Sequence, residues 1–159
     1  MNTASTPVQP AAGRWQALHP AQLARSLAQL RVPWWIAGGW ALDLFLGRQS
    51  RPHQDLDVGI LRRDAPQVLA ALSSWEIFEA RDGLLTRLHA GMAPAARVNS
   101  LWCRPADAGD WMFELMLDDS EDDRWVFRRD RRIQRPLALT LRRDRDGIPF
   151  LAPEVQLLL

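Results

Sequence analysis

The clearest pattern of apolar and polar positions runs through residues 34–60. Trp34, Trp35, Ile36 and Ala37 form a short apolar run, enough for a buried strand, and Gly38-Gly39 turns it sharply. Residues 40–46 follow as a helix, ended by Gly47, and residues 48–54 are a polar loop. Residues 55–60 alternate, so Leu56, Val58 and Ile60 share one face of a strand, and Asp55 and Asp57 the other. Upstream, Leu23, Leu27 and Leu30 recur at helical spacing and predict a helix over 20–30, broken by Val32-Pro33. Downstream, Asp64 as N-cap and Pro66 in the first turn open a helix to about Leu72. Residues 75–79 alternate as a strand, and Arg81-Asp82-Gly83 reads as a hairpin turn into residues 84–89. Two further strands are predicted over 98–103 and 111–117, then an acidic loop over 118–123. Short edge strands over 125–127 and 137–141 and a helix opening at Pro153 complete the chain. Strands outnumber helices, with no repeat and no second linker. The order points to one α+β domain, a mixed sheet with helices packed on one face.

A chain of 159 residues, 47% apolar and 25% charged, supports one hydrophobic core. Residues 1–13 are rich in Thr, Ser, Pro, Ala and Gln and read as a flexible tail rather than a signal peptide, leaving 14–159 as the domain. No apolar stretch is long enough to span a bilayer, so a soluble cytoplasmic protein with no membrane partner is expected. A net charge of +1 supplies no field of the kind a general nucleic-acid binder carries. All 20 basic residues are arginine, so phosphate contacts must come from guanidinium forks or backbone amides. Cys103 is the single cysteine and excludes an internal disulfide or a thiolate metal cluster.

Asp55 and Asp57 on one edge repel each other unless a cation lies between them or water solvates them. An Asp-x-Asp pair alone is a weak signal, because most such matches are exposed loop acids. The strand–glycine–helix unit just before it adds backbone amides that can approach a phosphate. Glu114, inside the apolar run from Trp111 to Leu117, is the third candidate acid. An ionised carboxylate there must be solvated, paired with an arginine or bound to metal. Asp118, four residues on and on the same face, is the alternative if the register differs. Such oxygen-rich sets suit magnesium, with substrate phosphates completing its shell. Arg48 and Arg51 are candidates to brace phosphate oxygens, against a reading as solvated loop charge. His53 reads as a loop cap, Asp43 as a residue that orients an arginine or caps backbone, and Trp40 and Trp125 as core. The acidic run 118–123 would attract a polycationic acceptor, although such runs are commonly solvated turns. Arg128, Arg129, Arg131 and Arg132 are interleaved with acids and read as salt-bridged surface, not as a nucleic-acid patch.

Gly38-Gly39-Trp40-Ala41-Leu42-Asp43, followed by Leu46-Gly47-Arg48, Arg51, His53 and Asp55-Leu56-Asp57, resembles the nucleotidyltransferase superfamily of DNA polymerase β-type catalytic domains. Within it the chain is similar to aminoglycoside 2''-adenylyltransferases and lincosamide nucleotidyltransferases, and residues 125–130 and 147–154 extend the likeness. The resemblance implies magnesium-dependent transfer of a nucleoside monophosphate, AMP from ATP or its equivalent from another NTP, to a hydroxyl of a small molecule such as an aminoglycoside antibiotic. It implies two Mg2+ ions held by Asp55, Asp57 and Glu114, with Gly38, Gly39, Arg48 and Arg51 at the nucleotide. Glu114 stands where the superfamily more often has aspartate. Members usually continue past the Pro153-Glu154 helix into further helices, so the chain is expected to lack that C-terminal helical part. The alternatives are a nucleotidyltransferase acting on a protein or nucleic-acid end, as in toxin–antitoxin pairs, and a truncated non-catalytic nucleotide-binding remnant.

Overall fold

A computed structural model describes residues 13–107 and 109–159. The strands are β1 Trp34–Ile36, β2 Asp57–Leu61, β3 Trp75–Arg81, β4 Leu84–Leu88, β5 Ser100–Pro105 and β6 Phe113–Glu121. They continue with β7 Arg124–Val126, β8 Gln134–Pro136, β9 Leu141–Arg143 and β10 Pro149–Leu151. The helices are α1 Pro20–Ser26, α2 Gly38–Leu46, α3 Ala65–Ala71, α4 Leu137–Thr140 and α5 Pro153–Gln156. The main sheet runs β4-β3-β5-β6-β2-β1-β10-β9, and a β7–β8 ribbon branches from the end of β6. β2 pairs parallel with β6, and β1 with β10. The other pairs are antiparallel, which makes the expected mixed sheet.

Alternation decides which side chains enter the core. Phe113, Leu115 and Leu117 of β6 are buried, as are Leu101 and Cys103 of β5 and Val58 and Ile60 of β2. They merge with Leu23 of α1, Ala41 of α2 and Val68 of α3 into one cluster. Burying each large apolar side chain contributes roughly 1.5–3 kcal/mol, so this layer holds the helices to the sheet. The opposite face carries a smaller cluster of Phe78, Leu85 and Trp111, with Trp15 and Trp102 packed against it.

Several sequence expectations are corrected. The first helix stops at Ser26, and Leu27 turns back with its amide on the carbonyls of Leu23 and Arg25. Leu30 still reaches the core from the turn that follows. Gly38 and Gly39 lie within the first turn of α2 rather than ahead of it. β2 begins at Asp57, which leaves Asp55 on the loop before it. The acidic run is no loop: β6 continues to Glu121, and the turn is confined to Asp122, at φ 51°, and Asp123. The strand form is tolerated because its acids find partners. Asp119 pairs with Arg62 and Arg131, and Asp118 accepts the Trp125 indole N–H at 2.9 Å. Residues 137–140 form one helical turn, closed by a Thr140 hydroxyl donating to the Pro136 carbonyl, and only then β9. β8 and β10, three residues each, are too short to announce themselves by alternation.

Candidate active site

The site is built where β1 passes into α2. The Ala37 amide donates to the Asp57 carbonyl at 2.9 Å, tying the end of β1 to the start of β2. Gly38 then adopts φ 64°, a left-handed conformation that side chains resist. A Cβ on Gly38 would stand 2.3 Å from Asp57 Oδ2, so the carboxylate occupies the space a side chain would need. Gly39 is equally confined: a Cβ there would lie 2.6 Å from Arg51 Nη2 and 2.8 Å from the His53 ring. The two glycines therefore admit an acid on one side of the helix start and a guanidinium on the other. The Gly38 amide is itself held, donating to Gln156 Oε1 of α5 at 2.7 Å.

The parallel register of β2 and β6 sets Asp57 directly against Glu114. The Glu114 amide donates to the Leu56 carbonyl at 2.9 Å, which fixes that alignment. Both side chains are half-buried, and Asp55 is exposed on the loop just ahead. Burial, reinforced by the charges of Glu114 and Asp55, pushes the Asp57 carboxyl up to about 6. Burial likewise raises Glu114, with Asp55 adding to it, while a hydrogen bond from Ser100 Oγ at 2.6 Å to Oε1 pulls the other way. Among the described residues none of the three acids forms an ion pair with an arginine. Their mutual repulsion is thus relieved by no arginine among the described residues. Asp118, the alternative third acid, lies opposite Leu61, four residues along the strand and so about 13 Å from the Asp57–Glu114 pair. Its Trp125 partner engages it there, and Glu114 is the acid that meets Asp57.

The set is not a preformed cage. Among the described residues no three His, Cys, Asp or Glu side chains stand close enough together to hold an ion as they are. Magnesium keeps several waters and commonly binds through one or two carboxylates plus substrate phosphates. Two cavities, of about 910 and 650 Å³, lie elsewhere, between α1, β1 and β9 and between α3 and the β3–β4 hairpin. The acids line neither of them.

Asp43 and His53 brace the loop from below. Asp43 is buried and accepts the Ser50 amide at 3.1 Å, the Ser50 hydroxyl at 2.5 Å and His53 Nε2 at 2.6 Å. Burial alone would raise its carboxyl; the hydrogen bonds from His53 and Ser50 outweigh that and hold it at about 2. His53 packs on Trp40 with ring centroids 4.5 Å apart. Asp43 thus caps backbone as expected, and its side-chain partners are His53 and Ser50 rather than an arginine. Removing the carboxylate charge weakens the three hydrogen bonds that it accepts from Ser50 and His53. Asp43→Asn is accordingly expected to cost about 3 kcal/mol in urea unfolding at pH 7. Because the folded carboxyl is depressed, its contribution is present above about pH 4 and fades as the pH falls toward 2. A loss below about 1 kcal/mol would show that the pair does not hold the loop.

Of the other candidates, Arg51 is brought against the helix start, and its guanidinium donates to the Pro52 carbonyl at 3.3 Å. Arg48 is exposed, and its side chain forms no hydrogen bond or ion pair among the described residues. Trp40 and Trp125 are core, as expected. Sequence reasoning missed Ser100 and Gln156. Alternation with buried Leu101 and Cys103 could have placed Ser100 on the Glu114 face; nothing local marks Gln156.

A 2''-aminoglycoside nucleotidyltransferase of Escherichia coli is 31% identical over 87 residues, covering 53% of this chain and 45% of that protein. A lincosamide resistance protein of Staphylococcus haemolyticus is 33% identical over 43 residues, 27% of either chain. The chain thus spans less than half the length of the curated relatives it matches. The crystal structure of the lincosamide antibiotic adenylyltransferase LnuA with lincomycin bound superposes with a TM-score of 0.57 at 16% identity. The match covers 87% of this chain and 82% of that one, and shows a shared fold. The sequence profile of aminoglycoside-2''-adenylyltransferases matches residues 21–156, from α1 through the glycine turn and the paired acids to α5. By that span the chain belongs to the aminoglycoside-2''-adenylyltransferase family.

Proposed function

We propose that the chain transfers a nucleoside monophosphate, AMP from ATP in the first instance, to a hydroxyl of a small polycationic acceptor of the aminoglycoside kind. The observation that carries this reading is the Asp57–Glu114 register pair: two half-buried carboxylates, joined by Asp55, unpaired with arginine and set against a glycine turn. The residues fit magnesium, and Asp55, Asp57 and Glu114 are the ones that would hold it. When bound, the metal supplies charge neutralisation on the triphosphate and a more acidic acceptor hydroxyl.

The chain's own groups do the rest. The start of α2 presents amides, and Arg51 a guanidinium, to phosphate oxygens from the side of Asp57 away from Glu114. Glu114, raised by burial, takes the proton of the attacking hydroxyl, while Ser100 fixes the orientation of its other oxygen. The hydroxyl oxygen bonds to the α-phosphorus as the bond to pyrophosphate breaks in line, so two groups aligned by two adjacent strands share one displacement. No helix among the described residues is long and apolar enough to cross a membrane, which accords with a soluble substrate pair.

The test is incubation of the 159-residue chain with each α-labelled triphosphate, magnesium and a panel of aminoglycosides and lincosamides. Label is expected in an aminoglycoside product, and in none once Asp55→Asn and Asp57→Asn are combined. Label appearing on the protein itself, or transfer surviving the double substitution, would overturn the assignment.

A further inference from the structure

The strand registers place four side chains in one row across the sheet. Phe78 of β3 stands opposite Trp102 of β5, Trp102 opposite Glu114 of β6, and Glu114 opposite Asp57 of β2. All four occupy the face away from the helix-covered core, because their strand neighbours Ile77, Leu101, Cys103, Phe113, Leu115 and Val58 fill that core. Next in line after Asp57 comes Gly38, against Asp57 Oδ2. The row therefore has a polarity: phosphate turn, metal acid, base, indole. Whatever hydroxyl reaches Glu114 belongs to a molecule lying on the Trp102 side.

We propose that Trp102 is the stacking platform for the acceptor, and that it selects a ring-bearing cationic amine whose hydroxyl it delivers to Glu114. This rests on the nucleotidyl-transfer reading above. Directly opposed residues in an antiparallel pair have Cβ atoms about 5 Å apart, so the indole and the carboxylate flank one small volume. The indole is half-buried and pre-set by T-shaped contacts, with Trp15 at 5.0 Å and 72° and with Trp111 at 5.4 Å and 69°. Fixed aromatic orientation lowers the ordering cost of binding. Glu114 Oε1 is taken by Ser100, while Oε2 accepts no hydrogen bond among the described residues and is available to an acceptor hydroxyl. An aromatic face beside carboxylates that pair with no arginine among the described residues favours a cation on both counts, through the ring quadrupole and through Coulomb attraction. A nucleobase, neutral and tied to the triphosphate on the far side of Asp57, gains neither advantage.

The experiment compares wild type, Trp102→Leu, which keeps apolar bulk but loses the indole face, and Trp102→Phe, which keeps an aromatic face. Trp75→Phe, in the core on the opposite sheet face, is the packing control. The readings are steady-state constants with kanamycin as acceptor, and calorimetric titration of kanamycin without nucleotide. Trp102→Leu is expected to raise the KM for kanamycin at least tenfold and leave that for ATP unchanged, with an equal loss of kanamycin affinity by calorimetry. Trp102→Phe should restore most of both, and Trp75→Phe should change neither. An unchanged kanamycin constant in a folded Trp102→Leu protein, or a raised KM for ATP, overturns the platform. If the wild type transfers nothing, the calorimetric arm decides alone: kanamycin affinity lost with Trp102 upholds the platform while the transferase reading fails. Kanamycin binding that is absent from the wild type, or equal in both, overturns it.

Discussion

Asp57→Asn is expected to stop transfer and, in the same protein, to make the metal-free fold more stable. The two effects share one cause. The Asp57 carboxylate is held among Glu114, Asp55 and apolar strand neighbours, and its pKa rises from 3.8 to about 6. An acid whose folded pKa is raised binds its proton more tightly in the folded chain than in the unfolded one. Its ionisation therefore costs the fold nothing below about pH 4, and the penalty grows as pH climbs toward 6 and persists above. A shift of this size corresponds to roughly 2–3 kcal/mol at neutral pH. Asparagine removes the charge while keeping the shape, so thermal unfolding without magnesium should move up at pH 7.5 and show little change below pH 4. Transfer should fall at least about a thousandfold, the scale on which charge-stabilising groups act. Magnesium with ATP should raise the midpoint of the wild type far more than that of Asp57→Asn. Asp57→Asn with a lower midpoint than wild type at pH 7.5, or with substantial activity, would remove Asp57 from the role given to it.

Gly38→Ala is the second large effect. Two separate costs meet at this position: a left-handed backbone at φ 64°, and a Cβ only 2.3 Å from Asp57 Oδ2. Gly47, at the end of the same helix, provides the control, because its φ is 69° and nothing lies within 4 Å of a Cβ there. Gly47→Ala should therefore cost about 1 kcal/mol, the backbone share alone. Gly38→Ala should cost roughly 2–4 kcal/mol and abolish transfer, since the alanine methyl group displaces the carboxylate. A double-mutant cycle with Asp57→Ala should return about 1–2 kcal/mol of coupling, the part of the loss due to the collision. Equal costs at Gly38 and Gly47, with no coupling, would mean that the carboxylate yields freely and the glycine is there for the turn alone.

Much of this arrangement was legible before any coordinates. Alternation identified the buried set of β2, and an acid stranded inside an apolar run singled out Glu114. Local chemistry also marked the Gly47 helix stop and the Asp82-Gly83 hairpin turn, because positive φ leaves a residue signature. What escaped depended on relations between distant segments. The Phe78–Trp102–Glu114–Asp57 row follows from three registers, and a register is not written in either strand alone. The Asp43–His53 pair looked like two independent polar residues, since the loop between them had no periodicity to say that it folds back onto α2. The acidic run misled for a different reason. Five acids in six residues suggest solvent, yet arginines from residues 62 and 131 make extended backbone tolerable there.

The hydrogen bond from the Gly38 amide to Gln156 spans 118 residues of sequence. Likewise β1, near the beginning of the described chain, finds one of its two neighbours in β10, near the end, with Ile36 beside Phe150. On a ribosome the acids of β2 and β6 can meet once residue 121 has emerged, but the turn that faces them gains its anchor only when α5 does. Loop-closure entropy makes such distant pairings late events. A nascent chain thus carries a repelling trio of carboxylates before the glycine turn beside them is anchored by α5.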